Sequence, residues 1–269
     1  MEEVKVVLIT GGSSGIGAAT ARLLAAHGIK VYAASRRGTF QTPTPNVIPI
    51  SMDVNDAEAT RLAVAQILQA EGRLDAVVVN AGSGIYGPIE GTLEEEARQQ
   101  FETNYFGAHK TIQACLPAFR SQGHGRIIII CSVMSVLQLP FQGFYSSVKA
   151  ALLSLSESLS MELKGSGIQC SAILPGDVAT GFTGARKFTV ASKDPASPYK
   201  ERMEKNLKKI EHDELGGMRP EVIAKEILRQ LRKKNMAVRV IPRADYKLVG
   251  FLVRMVPARL KLSIIRALY

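Results

Sequence analysis

The sequence predicts an α/β fold: a doubly wound sheet of about seven parallel strands with helices on both faces. Three observations point to it. Short apolar runs alternate with helical patterns along most of the chain. The first run, Val4–Thr10, leads into a Gly-rich turn and then a helix of small residues. The fifth run, Arg126–Cys131, is nearly all Ile, as befits a central strand buried on both faces. With 269 residues and no linker-like stretch, residues 1–269 read as one domain.

Strand one is followed by Gly11-Gly12-Ser13-Ser14-Gly15-Ile16-Gly17. Gly11 permits a sharp turn, Gly15 lets bare backbone approach a pyrophosphate, and Gly17 lets the next helix pack close to the sheet. The helix N-terminus adds free N–H groups and the positive end of its dipole. The spacing Gly-x-x-x-Gly-x-Gly differs from the common Gly-x-Gly-x-x-Gly dinucleotide fingerprint. The helix runs to about Ala26, and His27-Gly28 closes it.

Strand two, Lys30–Ala34, leads to Ser35-Arg36-Arg37. In NAD-preferring folds an acid near this point bonds the adenine ribose. Here no carboxylate repels a 2′-phosphate, and Arg36 offers a planar fork of donors. NADP(H) is therefore favoured over NAD(H). A Pro-rich loop precedes strand three, Val47–Met52, and Asp53-Val54; Asp53 is placed to cap a helix beginning near Asn55. Strand four, Ala76–Val79, ends in Asn80-Ala81-Gly82, small residues that let a cofactor lie across the sheet. Thr92-Leu93-Glu94-Glu95 resembles a capping box shifted by one residue and predicts the start of the next long helix. Asn104 falls inside that helix, where asparagine is unfavourable without a reason.

Strand five delivers Ser132. Tyr145 follows thirteen residues later, and Lys149 lies one helical turn beyond it on the same face. Strand six, Ile168–Leu174, ends in Pro175-Gly176-Asp177-Val178-Ala179-Thr180. Residues 181–217 break the alternation and read as a substrate lid with one or two short helices. A helix over Arg219–Lys234 and a last strand over Met236–Ile241 follow.

Composition narrows the class. Hydrophobic residues make up 46% and charged residues 22%, an ordinary globular mix. Cys115, Cys131 and Cys170 are an odd number without metal-like spacing, so free thiols in a reducing, cytoplasmic setting are expected. Met1-Glu2-Glu3 is not a signal peptide, no apolar run is long enough to span a bilayer, and the four histidines form no ligand cluster, so no metal is expected. The net charge of +10 is uneven: Arg219–Tyr269 holds 13 Lys/Arg against 3 Asp/Glu, and the rest is neutral. That argues for a local surface contact and against a nucleic-acid partner. The extension 243–269 is basic and amphipathic, with Leu260, Ile264 and Leu268 on one helical face. It suits peripheral contact with a membrane surface; a helix closing over the substrate pocket or packing in a dimer is the other reading.

Thr10-Gly11-x-x-x-Gly15-x-Gly17, Asn80-Ala81-Gly82, Ser132 and Tyr145-x-x-x-Lys149 occur in this order at these separations. Together they resemble the classical short-chain dehydrogenase/reductase family over about residues 4–242. The resemblance implies a Rossmann-type fold and hydride transfer between a nicotinamide and a carbonyl or alcohol. It implies that Asp53 contacts the adenine, that Asn80 holds neighbouring strands, and that Asn104 holds a relay water after a helix kink. The 175–180 run would lie over the nicotinamide through Pro175, Gly176, Val178 and Thr180. Ser132 would polarise the substrate oxygen and Tyr145 would be the general acid/base. Lys149, a cation one turn away, is expected to lower the phenol towards working pH. A homodimer or homotetramer through the helices carrying Asn104 and Tyr145 is implied too. Leu137, Leu139, Phe141, Phe144, Phe182 and Phe188 suggest an apolar pocket, and Leu139-Pro140-Phe141 with the basic tail looks like the hydroxysteroid and retinol dehydrogenase branch. The expected reaction is NADPH-dependent reduction of a lipid, steroid or retinoid carbonyl. The alternatives are an NAD-linked alcohol dehydrogenase and a non-catalytic dinucleotide-sensing protein.

Overall fold

The computed structural model describes residues 3–243, Tyr246 and 256–269. In chain order, β1 (Val6–Thr10) and α1 (Gly15–Ala26) precede β2 (Lys30–Ser35), β3 (Val47–Ser51), α2 (Ala57–Glu71) and β4 (Ala76–Val79). A short strand β5 (Ile85–Tyr86) leads to α3 (Glu94–Phe101), a π-helical turn over Glu102–Phe106, and α4 (Gly107–Gln122). Then come β6 (Gly125–Ile130), α5 (Gly143–Glu162), β7 (Ile168–Ile173), β8 (Lys187–Phe188), α6 (Lys200–Leu215), α7 (Pro220–Leu231), β9 (Arg239–Val240) and α8 (Ala258–Leu268).

The main sheet has the strand order β3-β2-β1-β4-β6-β7-β9, and every pairing is parallel. The chain winds from β1 out to β3, returns to lay β4 on the other side of β1, and then winds the opposite way. The loops after β1 and β4 therefore diverge, and a crevice opens at the carboxyl edge. Period-2 alternation divides the core into two layers. Leu8, Val77, Ile127 and Ile129 face α2, α4 and α5, where Ile67, Ile112, Phe119 and Leu152 meet them. Ile9, Val78, Ile128 and Ile130 face α1 and α7, where Leu24, Ile223 and Ile227 meet them. Buried Asp75 pins the start of the sheet: Oδ2 accepts from Lys5 N at 2.7 Å and Val6 N at 2.8 Å, and Arg73 pairs with the same carboxylate.

Several local expectations need correction. Helix α2 is capped by Asp56, whose Oδ1 accepts from Glu58 N and Ala59 N; Asp53 instead closes a tight turn onto Asn55 N. Helix α3 starts with the shifted box, one residue along from Thr92, at Leu93 and Glu96. Leu93 N donates to Glu96 Oε2, and Thr92 Oγ1 turns back to Pro88 O. The lid carries one sixteen-residue helix, α6, and a strand, β8, that pairs in parallel with β5. Neither two-residue strand leaves a periodic signal. The terminal extension is described only in part, with 244–245 and 247–255 outside the described residues. Helix α8 docks on the lid helix: Tyr269 OH donates to Asp213 Oδ2 and Asn206 Nδ2 donates to Tyr269 O. Its buried residue is Ile265, whereas Leu260, Ile264 and Leu268 are 54%, 48% and 59% exposed. No helix among the described residues is long and apolar enough to cross a membrane.

Candidate active site

The turn after β1 is built for close backbone approach. Gly11 and Gly15 take left-handed backbone at φ 63° and 51°. A Cβ on Gly17 would stand 2.3 Å from Gly11 O and 2.8 Å from Asn80 Nδ2. Asn80 ties the neighbouring strand to this turn: its Nδ2 donates to Thr10 O at 3.0 Å and Gly11 O at 3.2 Å. In return Thr10 Oγ1 accepts from the backbone N–H groups of Asn80 and Ala81. Ser13 and Ser14 lead into α1 and Ile16 lies in its first turn; no side-chain bond from Ser14 caps the helix. Across the turn, a Cβ at Gly15 would meet the Thr180 side chain at 3.4 Å, so the 175–180 run stands over the glycines. Bare, positively curved backbone with unspent helix N–H groups fits a pyrophosphate.

Further along the same edge, Ser35, Arg36 and Arg37 end β2. Both arginine side chains are exposed and form no ion pair among the described residues. Asp53 follows β3 and keeps one carboxylate oxygen without a protein donor. Val54 is buried against Gly107 of α4, which leaves its backbone alone for a ligand.

On the other side of the glycines, the ends of β6 and α5 bring Ser132, Tyr145 and Lys149 together. Ser132 caps a short 3₁₀ turn, its Oγ accepting from Met134 N, and its hydroxyl lies against the Tyr145 phenol. Lys149 is buried, and its Nζ donates to Ile130 O at 2.9 Å, 5.8 Å from the Tyr145 ring centre. Burial pushes the Tyr145 phenol above its ordinary value. The Ser132 hydrogen bond opposes that rise, Glu214 adds to it and Arg186 opposes it. Burial also lowers the Lys149 ammonium. The net shift at Tyr145 is therefore upward, against the fall expected from the lysine: desolvation outweighs the nearby cation.

Asn104 is buried in the π turn. It donates to Ser83 O and Gln100 O, and its oxygen accepts from Ser83 N. The extra residue in that turn aims the side chain at the loop after β4, so close that a Cβ on Gly82 would meet Asn104 Oδ1 at 2.5 Å. This answers why a mid-helix asparagine is tolerated. Buried Gln100 donates to the same Ser83 carbonyl, a partner that one polar residue in a helix gives no sequence signal for.

Aromatic side chains wall the space beyond Tyr145. Phe182 lies 5.7 Å from the Tyr145 ring, and Phe141 packs on Tyr86 and Tyr199 at 6.0 and 5.9 Å. Phe141 holds a left-handed φ of 60°, a strained state for a bulky residue, and its carbonyl accepts from Gly87 N. Tyr86 and Phe188, on paired β5 and β8, meet at 5.9 Å. Tyr246, from the extension, presses its ring on Gly176 and clamps Asp177. Its hydroxyl donates to Asp177 Oδ2 at 2.5 Å and accepts from Asp177 N. Nothing in the sequence near Tyr246 announces that role.

A glycine turn at the reversal of the sheet, facing a Ser–Tyr–Lys group, defines the class: an NAD(P)-dependent oxidoreductase. A family model described as short chain dehydrogenase matches residues 5–189, and the chain belongs to that family. A 3-ketodihydrosphingosine reductase of Bacteroides thetaiotaomicron is 37% identical over 234 residues, 86% of this chain and 85% of that protein. Human 17-beta-hydroxysteroid dehydrogenase type 1 is 36% identical over 191 residues, 66% of this chain and 58% of its own length. A crystal structure of a short-chain dehydrogenase from Streptomyces avermitilis superposes with TM-score 0.80 at 30% identity, covering 99% of this chain and 98% of that one.

Proposed function

We propose that the protein is an NADPH-dependent reductase of an apolar ketone. The observation that carries this reading is the Ser132–Tyr145–Lys149 group beside an aromatic wall, with Arg36 exposed and unpaired at the far end of the same edge. Gly11, Ser13, Ser14, Gly15, Ile16 and Gly17 would hold the pyrophosphate. Ser35, Arg36 and Arg37 would hold the 2′-phosphate, with Asp53 and the Val54 backbone at the adenine. Asn80, Ala81, Gly82, Pro175, Gly176, Val178 and Thr180 would line the nicotinamide end. When bound, the cofactor supplies the hydride. Tyr145 gives its phenolic proton to the substrate oxygen, and Ser132 donates a hydrogen bond to that oxygen. Lys149 orients the ribose, and Asn104 holds the loop from which a water relay restores the proton. The relative from Bacteroides makes 3-ketodihydrosphingosine the first substrate to assay; the human relative makes a steroid ketone the second.

Fluorescence titration with NADPH and NADH tests the cofactor assignment. Wild-type protein is expected to bind NADPH more tightly, and Arg36→Ala to lose about tenfold to hundredfold of that margin, the worth of charged hydrogen bonds to phosphate. Equal affinities in the wild type would redirect the assignment to NAD.

Two surfaces support the partner readings. Phe106 and Met161 are exposed at 46% and 71% on the elements carrying Asn104 and Tyr145, which favours assembly of copies there. The exposed Leu260, Ile264 and Leu268 beside Arg259, Lys261 and Arg266 favour a peripheral membrane contact through α8. Co-sedimentation with anionic liposomes should fall severalfold for a Leu260→Ser/Ile264→Ser variant; unchanged sedimentation would remove the membrane reading.

A further inference from the structure

Arg186 immediately precedes β8, four residues after Phe182, whose ring lies 5.7 Å from that of Tyr145. Its side chain is only 2% exposed. One guanidinium nitrogen, Nη2, pairs with Glu214 Oε1 at the end of α6, and Glu214 Oε2 accepts from Thr183 Oγ1 at 2.6 Å. The other nitrogen, Nη1, is buried and finds no acceptor among the described residues. Leaving an ionised donor buried and unmatched is costly, and natural folds tolerate it chiefly where a ligand completes the set. The position fits a ligand: Arg186 stands between Phe182, which packs on Tyr145, and β8, which pairs with β5 and its Tyr86. Its charge and that of Glu214 also act on the Tyr145 phenol.

We propose that Arg186 is a specificity-determining residue whose Nη1 donates a hydrogen bond to a neutral oxygen on the substrate's polar head, beside the carbonyl that Tyr145 serves. The inference rests on the ketone-reductase reading and adds the substrate's second polar group. The accepting oxygen is uncharged because Glu214 already balances the guanidinium, so a full anion would meet the carboxylate as well. The substrate class is thus an apolar ketone bearing a nearby hydroxyl. An unadorned hydrocarbon ketone would leave Nη1 unmatched, and sites built around a buried donor reject analogues that lack its partner.

The test compares dodecan-3-one, 1-hydroxydodecan-3-one and the anion 3-oxododecanoate with NADPH. Wild-type protein is expected to prefer the hydroxyketone over dodecan-3-one by at least about tenfold in kcat/KM, chiefly through KM, and to prefer it over the anion. In Arg186→Met/Glu214→Gln, which leaves no buried charge unpaired, the hydroxyketone-to-ketone ratio should fall to about one. Arg186→Lys should restore part of it. A wild-type ratio near one with normal turnover of dodecan-3-one overturns the head-group inference and leaves the reductase reading standing. A ratio that survives in the double variant, or a preference for the anion, also overturns it. If neither ketone is reduced, both readings fall.

Discussion

Tyr145→Phe is expected to lower kcat for ketone reduction by about 10²–10⁴-fold, the range that positioned acid–base catalysis supplies, while NADPH affinity stays within a fewfold. The substitution removes one oxygen and keeps the ring that packs on Phe182 at 5.7 Å. The pH profile follows from the direction of the shift. Burial holds the phenol above its ordinary value, so the proton that reduction consumes is present through neutral and mildly alkaline pH. In the free enzyme, kcat/KM for reduction should stay flat from about pH 6 to 9 and fall only at higher pH; oxidation of the corresponding alcohol, which needs the phenolate, should rise with pH. A reductive profile falling from neutrality would show that the phenol loses its proton there and would contradict the burial argument. Near-normal kcat in Tyr145→Phe would remove Tyr145 as the proton donor.

The second large effect is expected at Gly17. An alanine methyl would sit 2.3 Å from Gly11 O, which is backbone and has no rotamer to escape into. Either α1 moves away from the sheet or the turn opens, and both outcomes break the Asn80 bonds to Thr10 O and Gly11 O. Overpacking of this kind costs about 1–3 kcal/mol, or a fall in Tm of about 2–12 °C for a chain of this size. Dinucleotide affinity should fall by at least about a hundredfold, more than stability alone explains, because the distorted atoms are those proposed to hold the pyrophosphate. Gly28→Ala is the control: Gly28 also has positive φ, but a Cβ there meets nothing within 4 Å. Equal loss of affinity in both variants would place the effect in general destabilisation.

The parallel sheet was legible because its strands are short apolar runs whose ends carry the small residues the turns require. The glycines, Asn80 and Ser132 were readable for the same reason, since each follows a strand end, and Tyr145 and Lys149 were readable from their one-turn spacing on α5. Features without a local pattern were not readable. Strands β5 and β8 are two residues long and pair across about a hundred positions. Arg186 and Glu214 carry no sequence sign of their burial, because charge alone does not say which side of a lid faces inward. The net shift at Tyr145 was misjudged because sequence spacing gives proximity along a helix but not the burial that outweighs a nearby cation.

The clamp of Tyr246 on Asp177 ties the timing of synthesis to function. By the time residue 180 has left the ribosome, every glycine of the turn after β1 and every member of the Ser–Tyr–Lys group is in hand, and six of the seven main-sheet strands exist. The loop after β7 is not yet held, because its fastener lies 69 positions downstream. A nascent or proteolysed chain that stops short of Tyr246 would carry the full set of family motifs with one wall of the crevice unfastened.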